Sequence, residues 1–110
     1  MEEDMVTIED FKKMEIRIAE VLSAAPHPQA DRLLVLRIRV EEAERTIVAG
    51  IRKYYSEAEL VGKKIVVVTN LEPAEIRGIR SEGMLLAASL PEKLTLLVPD
   101  RDILCGARVG

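Results

Sequence analysis

The sequence is short of the side chains that most binding and catalytic chemistry uses. It has no tryptophan, one phenylalanine (Phe11) and two adjacent tyrosines, Tyr54 and Tyr55, so there is little material for stacking successive bases on aromatic rings. Cys105 is the only cysteine and His27 the only histidine. One thiol cannot form an internal disulfide, and one Cys with one His cannot supply the ligands of a structural zinc site. No apolar run reaches the roughly 18 residues of a membrane-spanning helix. The opening MEEDMVTIED is acidic and lacks the apolar core of a signal peptide. A cytoplasmic setting with no membrane partner is therefore expected. Nucleophile elbows, dinucleotide-binding glycine motifs and phosphate-binding loops are also absent. No enzyme activity, cofactor or metal is expected.

What remains is a chain of 110 residues, 48% apolar and 32% charged. That balance fits one folded domain over residues 1–110, with enough surface to bury for a real core. The net charge of −3 argues against a generic nucleic-acid binder, whose domains are usually strongly basic. The charge is unevenly spread, however. Residues 1–31 carry eight acids and three bases, whereas residues 32–80 carry ten bases and seven acids. A local basic face is possible; a strong long-range field is not.

Periodicity gives a mostly β reading. TIEDFKKM opens with a capping-box-like Thr7 and Asp10 and predicts a short helix. EIRIAEVLSA (15–24) alternates and then slips phase, so that Val21 and Leu22 are both apolar, which predicts a strand with a bulge or bend. APHPQAD reads as a loop, with His27 solvated between its prolines. LLVLRIRV (33–40) alternates cleanly, with Arg37 and Arg39 outward. RTIVAG (45–50) is a third strand. Ser56 and Glu59 mark a second capping box within residues 51–62, and KKIVVVTNL (63–71) is an apolar strand buried on both faces. EPAEIRGIRSE reads as a turn-rich excursion. GMLLAAS (83–89) and KLTLLVP (93–99) predict two more strands, and DRDILCGARVG a turn with a short closing strand. Short strands bent by bulges favour a small closed barrel over a sandwich.

One stretch carries a more specific signal. Within NLEPAEIRGIRSEGMLLAA, the residues Asn70-Leu71, Pro73, Arg77-Gly78, Ser81, Gly83-Met84 and Ala87-Ala88 resemble the signature of the tRNA-binding domain. This domain occurs in stand-alone structure-specific tRNA-binding proteins and in the C-terminal extension of methionyl-tRNA synthetases. Similar modules occur in phenylalanyl-tRNA synthetase β chains, eukaryotic synthetase cofactors and a bacterial export chaperone. TIEDFKKMEIRIAEV, ADRLLVLRI, IVAGIRKYY, ELVGKKIVVVTNL and PDRDILCGARV resemble other parts of the same domain in the same order, so the likeness covers residues 7–109. It implies an all-β fold: a five-stranded OB barrel with a short N-terminal helix, a helical insert between strands 3 and 4, and a C-terminal extension. It also implies a homodimer joined through residues 7–14 and roughly 98–109, with tRNA and possibly methionyl-tRNA synthetase as partners.

The resemblance points to Arg32, Asn70, Arg77, Ser81 and Met84 as tRNA-binding residues, and residue chemistry adds Arg80 beside them, with Arg37 and Arg39 on the outward face of strand two and Arg52 and Lys53 after Gly50 as weaker candidates. Each has a plainer alternative. Met84 either meets RNA at the surface or fills the core. Ser81 offers its hydroxyl to phosphate or a 2′-hydroxyl, or makes a turn bond; both can hold. Asn70 reads a base edge or closes a turn. Arginine forks at 77 and 80 suit phosphates, or they are solvated loop charges. Arg32 sits at the start of strand two, where OB folds meet ligands. Arg37 and Arg39 are equally a binding surface or a solvated face. Lys63 and Lys64 read as structural or solvated, and at least one of Tyr54 and Tyr55 as core. Glu72 and Glu75 stand in the loop where family members often carry bases, and acids there oppose the phosphate path. Two functions follow: non-catalytic tRNA binding, alone or as an accessory to methionyl-tRNA synthetase, or a protein-interaction module of the same fold, either a chaperone-like peptide binder or a dimerising synthetase appendage.

Overall fold

The computed structural model describes residues 4–110. It is almost entirely strand, with two short helices among the described residues. In order, the elements are α1 (Ile8–Lys12), β1 (Ile16–Pro26), β2 (Leu34–Val40), β3 (Ala43–Ala49), α2 (Glu57–Leu60), β4 (Lys64–Val68), β5 (Ala74–Ile76), β6 (Ile79–Ser81), β7 (Met84–Leu85), β8 (Ala87–Leu90), β9 (Lys93–Leu96) and β10 (Arg108–Val109). The Thr7 hydroxyl caps α1 by accepting the Asp10 N–H. Ser56 and Glu59 form a reciprocal capping box on the single turn of α2, satisfying two otherwise orphan donors.

The main sheet runs β3-β2-β1-β4-β7, with β10 added to β1. All these pairs are antiparallel. The sheet curls back toward its first strand. The Glu82 N–H donates to the Thr46 carbonyl at 2.8 Å and the Val48 N–H to the Ser81 hydroxyl at 2.9 Å, so residues 81–82 bridge β7 to β3. This is the OB-like barrel expected from the sequence.

Register explains the patterns. β1 keeps Val21 opposite Ile38 and Ser23 opposite Arg37, so Leu22 is the extra residue of a bulge and the phase slip in the sequence is its imprint. Along β2, Leu34, Leu36, Ile38 and Val40 are buried while Arg37 and Arg39 are exposed. After Lys64, β4 is apolar because it has a core on each side. Ile65 and Val67 enter the barrel interior with Leu36, Ile38, Ile47 and Leu60. Val66 and Val68 face a second cluster with Ile16 and Ile18, covered by Leu86, Ala107 and Val109. The second cluster is why the chain returns to lay β10 against β1.

Three readings need correction. The excursion at 72–82 contains a β-hairpin, β5–β6, in register Ala74↔Ser81 to Ile76↔Ile79. GMLLAAS is two strands in two sheets, because the Leu86 N–H donates to the Val66 carbonyl at 2.9 Å and its side chain turns to the second core, while Leu85 and Ala87 pack on the first. β8 pairs instead with β9. His27 is buried, only 3% exposed, because that hairpin supplies it with a hydrogen-bond partner, the Ile76 carbonyl 49 residues on.

The C-terminal segment is tied down by Lys64, whose ammonium donates to Asp102 at 2.8 Å and to the Ile103 carbonyl. The bond from Lys64 holds the Asp102 carboxyl below the usual carboxylate range. The tie is therefore present at neutral pH and is lost as pH falls through that lowered value.

Candidate nucleic-acid interface

In a five-stranded OB barrel, oligonucleotides meet the strand 2–3 face and the loops joining strands 1 to 2 and 4 to 5. Here the first of those loops is residues 27–33, and the second contains the β5–β6 hairpin. The first holds Arg32 and the second Arg77 and Arg80, and the fold brings the two together.

Arg32 is exposed in the first loop. Arg77 stands at the tip of the hairpin, and its Nη2 donates to the Gln29 carbonyl at 3.2 Å. Arg32 and Arg77 line one cleft of about 440 Å³ with Gln29, Ala30, Asp31 and Leu33. Arg52 joins from the segment after β3. Its N–H donates to the Arg32 carbonyl at 3.4 Å and its Nη1 to the Asp31 carbonyl at 3.3 Å. Arg80 lies on β6 opposite Glu75 and has no side-chain partner among the described residues. Three sequence-distant arginines thus meet at one loop, with a fourth on the adjoining strand.

The hairpin tip is unusual. Arg77 and Gly78 have φ of +52° and +91°, the signs of a type I′ turn, which normally takes Asn-Gly or Gly-Gly. Arginine is a rare occupant of left-handed backbone. Gly78 suits its position, whereas Arg77 occupies one that its own preference opposes.

The remaining candidates are placed elsewhere. Asn70 is exposed, but both ends of its amide are engaged. Oδ1 accepts the Glu15 N–H at 2.8 Å, and Nδ2 donates to the Lys13 carbonyl at 2.7 Å, tying the end of α1 to the barrel. Ser81 is buried at 4% exposure; its hydroxyl accepts from the Val48 N–H and donates to the Gly83 carbonyl at 3.2 Å. Met84 is 49% exposed and pairs with Val68 on β7, so it is no core filler. Arg37 and Arg39 sit in cross-strand ion pairs, with Glu44 at 3.0 Å and Glu20 at 2.7 Å. The hydrogen bond that Arg39 donates to Glu20 raises its guanidinium pKa further. Lys53 lies 5.7 Å from the centroid of the Tyr54 ring. Tyr55 packs on the core, and its hydroxyl accepts the Leu96 N–H at 3.1 Å.

Sequence reasoning missed Arg45. Its Nη1 donates to the Thr69 carbonyl at 2.6 Å and lies 3.3 Å from that of Glu82, joining the two ends of the second loop. No local pattern marks it, since its partners are 24 and 37 residues away. Among the described residues, no three metal-binding side chains come together.

Asn70→Asp should release α1 without unfolding the barrel, because a carboxylate cannot donate to the Lys13 carbonyl. A loss of about 1–2 kcal/mol is expected, with faster proteolytic cleavage before residue 15 as the readout.

A family model described as "Putative tRNA binding domain" matches residues 16–108. The chain belongs to the tRNA-binding domain family. It is 48% identical over 107 residues to the methionine–tRNA ligase of Caldanaerobacter subterraneus, covering 97% of this chain and 17% of that protein. The figures for the Pyrococcus horikoshii ligase are 42% over 108 residues, 98% and 15%. This tRNA-binding domain therefore spans about a sixth of the ligases it matches. Among solved structures it is similar to a MetRS-related protein from Pyrococcus horikoshii, with TM-score 0.91 and 31% identity over 97% of this chain and 99% of that one. It is also similar to the chaperone CsaA from Bacillus anthracis, with TM-score 0.86 and 30% identity over 96% and 99%.

Proposed function

We propose that this tRNA-binding domain binds tRNA non-catalytically, by shape and backbone charge, through the surface built from residues 27–33 and the β5–β6 hairpin. The observation that carries the reading is the convergence of Arg32, Arg52 and Arg77 at that loop pair. Arg80 extends the surface, and Met84 offers an exposed apolar contact on the same return of the chain. Arg37, Arg39 and Lys53 are peripheral in this reading. Ser81 supports the surface from inside, and Asn70 serves the attachment of α1. Family membership and the ligase relatives support tRNA as the ligand and a role beside methionyl-tRNA synthetase in the cytoplasm. We also propose a homodimer. α1 buries none of its own residues, and Ile8, Phe11, Met14, Ile103 and Leu104 are exposed, which leaves apolar surface for a second copy.

The test is tRNA affinity by fluorescence anisotropy over a salt series. Binding should weaken steeply from about 50 to about 200 mM salt, and Arg32→Ala, Arg52→Ala and Arg77→Ala should each lower the log–log slope by about 1. Arg37→Ala should leave it unchanged. Absence of binding at low salt would reject the reading and favour a protein-interaction surface.

A further inference from the structure

The only histidine is buried at the junction of the two loops that carry the arginines. We propose that His27 is the positioning residue of this surface, and that its neutral imidazole holds Arg77 in place through a closed ring of hydrogen bonds. The Gln29 N–H donates to His27 Nδ1 at 3.0 Å. A backbone N–H can only donate, so Nδ1 carries no proton and Nε2 carries it. Nε2 lies 3.1 Å from the Ile76 carbonyl and donates to it. Ile76 is bonded to Arg77, and the Arg77 guanidinium returns to the Gln29 carbonyl at 3.2 Å. Four residues, two from each loop, form one circuit.

Two further facts make the imidazole the controlling member. The loop is closed at its base, with the His27 N–H donating to the Leu33 carbonyl at 3.0 Å and the Leu33 N–H to the Ala30 carbonyl at 3.2 Å. Pro26 and Pro28 restrict the backbone on either side. The loop therefore presents His27 from a fixed base. Among the described residues, the hydrogen bonds joining this loop to the hairpin are the two in the ring. Without them Arg77 has only its left-handed backbone, which arginine disfavours, and nothing fixes its side chain beside Arg32.

Only the neutral ring with its proton on Nε2 makes both bonds. Protonation places a second N–H on Nδ1, directed at the Gln29 N–H, and two donors then face each other. The Gln29 N–H must then turn away, which opens the circuit next to the carbonyl that accepts from Arg77. The charged groups on the joined elements are Asp31 and Arg32 of the loop, Arg52 bonded to it, and Glu75, Arg77 and Arg80 of the hairpin. Two acids stand there against four arginines, so an imidazolium would add to an excess of positive charge.

The affinity arm of the test rests on the tRNA-binding reading; the ring itself is tested without RNA. The ring-nitrogen NMR shifts of His27 near pH 8 report its tautomer, and should show Nε2 protonated and Nδ1 bare. The amides of Gln29, Arg77 and Gly78 should shift in His27→Ala, with faster exchange at Gln29. A proton on Nδ1, or a His27→Ala variant in which those amides stay still, overturns the proposal. With tRNA, His27→Ala should bind about fivefold more weakly than the wild type near pH 8, as for one lost positioning bond. His27→Gln, whose amide can still reach the Ile76 carbonyl and does not titrate, should recover part of that loss. Equal affinity of all three proteins overturns it. If the alanine variant does not fold, the wild-type tautomer and His27→Gln decide. A wild type that binds no tRNA rejects the functional reading while the tautomer and the amide shifts still judge the ring.

Discussion

Replacing Arg32 and Arg77 together by glutamate is expected to weaken tRNA binding by roughly 100-fold, with the fold intact. Each exposed charge-assisted contact contributes about 1 kcal/mol, and each introduced carboxylate adds repulsion from the phosphates on the order of half as much or more. The sum is about 3 kcal/mol, or roughly two decades in affinity. Both side chains line the same cleft, so their loss is concentrated at one point on the RNA. The matched control is Arg37→Glu with Arg39→Glu. Those arginines are already paired with Glu44 and Glu20, and their reversal should cost less than about fivefold. Arg77→Gly separates the side chain from the fold, because glycine takes the left-handed turn position freely. It should preserve or raise thermal stability while lowering affinity. A drop in both would make Arg77 a structural residue first.

Gly83→Val is expected to be the most destabilising single change named here, at about 2–3 kcal/mol. A Cβ at position 83 would stand 3.1 Å from the Val68 carbonyl oxygen, 3.2 Å from Val67 Cγ1 and 3.4 Å from Ile47 Cγ2. The first neighbour is backbone of β4 and the other two belong to β-branched core residues, none of which can swing aside. The glycine lets residues 81–85 lie between β3 and β4, which curls the sheet. Against a usual total of about 5–15 kcal/mol, the loss should lower the melting temperature by roughly 10–20 °C. Gly62→Ala is the control. Nothing lies within 4 Å of its added Cβ, but φ is +88°, so only the backbone penalty of about 1 kcal/mol applies. Because Ser81 and Glu82 anchor the hairpin to β3, Gly83→Val should also weaken tRNA binding in the surviving folded fraction.

The strands whose partners lie on the same sheet were legible from residue pattern. β2 alternates because one face is core, β4 is apolar from Ile65 to Val68 because both faces are, and the slip at Leu22 records a bulge. What could not be read depends on chain segments that meet from far apart. His27 lies in a polar loop between prolines, and nothing nearby in sequence says that residue 76 will supply its acceptor. The β5–β6 hairpin was hidden because its turn reads Arg-Gly where Asn-Gly would have announced it. Asn70 and Ser81 could be recognised as special, but their partners at residues 13, 15, 48 and 83 are visible only in three dimensions. Arg32, Arg52 and Arg77 could be named from the family likeness. Their convergence comes from the topology, which sets the loop after β1 beside the hairpin after β4.

The most direct test of the account is an amide chemical-shift map of the isotopically labelled protein titrated with unlabelled tRNA at low salt. The account predicts that the largest changes fall on residues 27–33, 52 and 74–81, with Met84 at their margin, and that they reverse as salt is raised. Changes concentrated on the β8–β9 hairpin or on α1, with residues 27–33 and 74–81 silent, would contradict it.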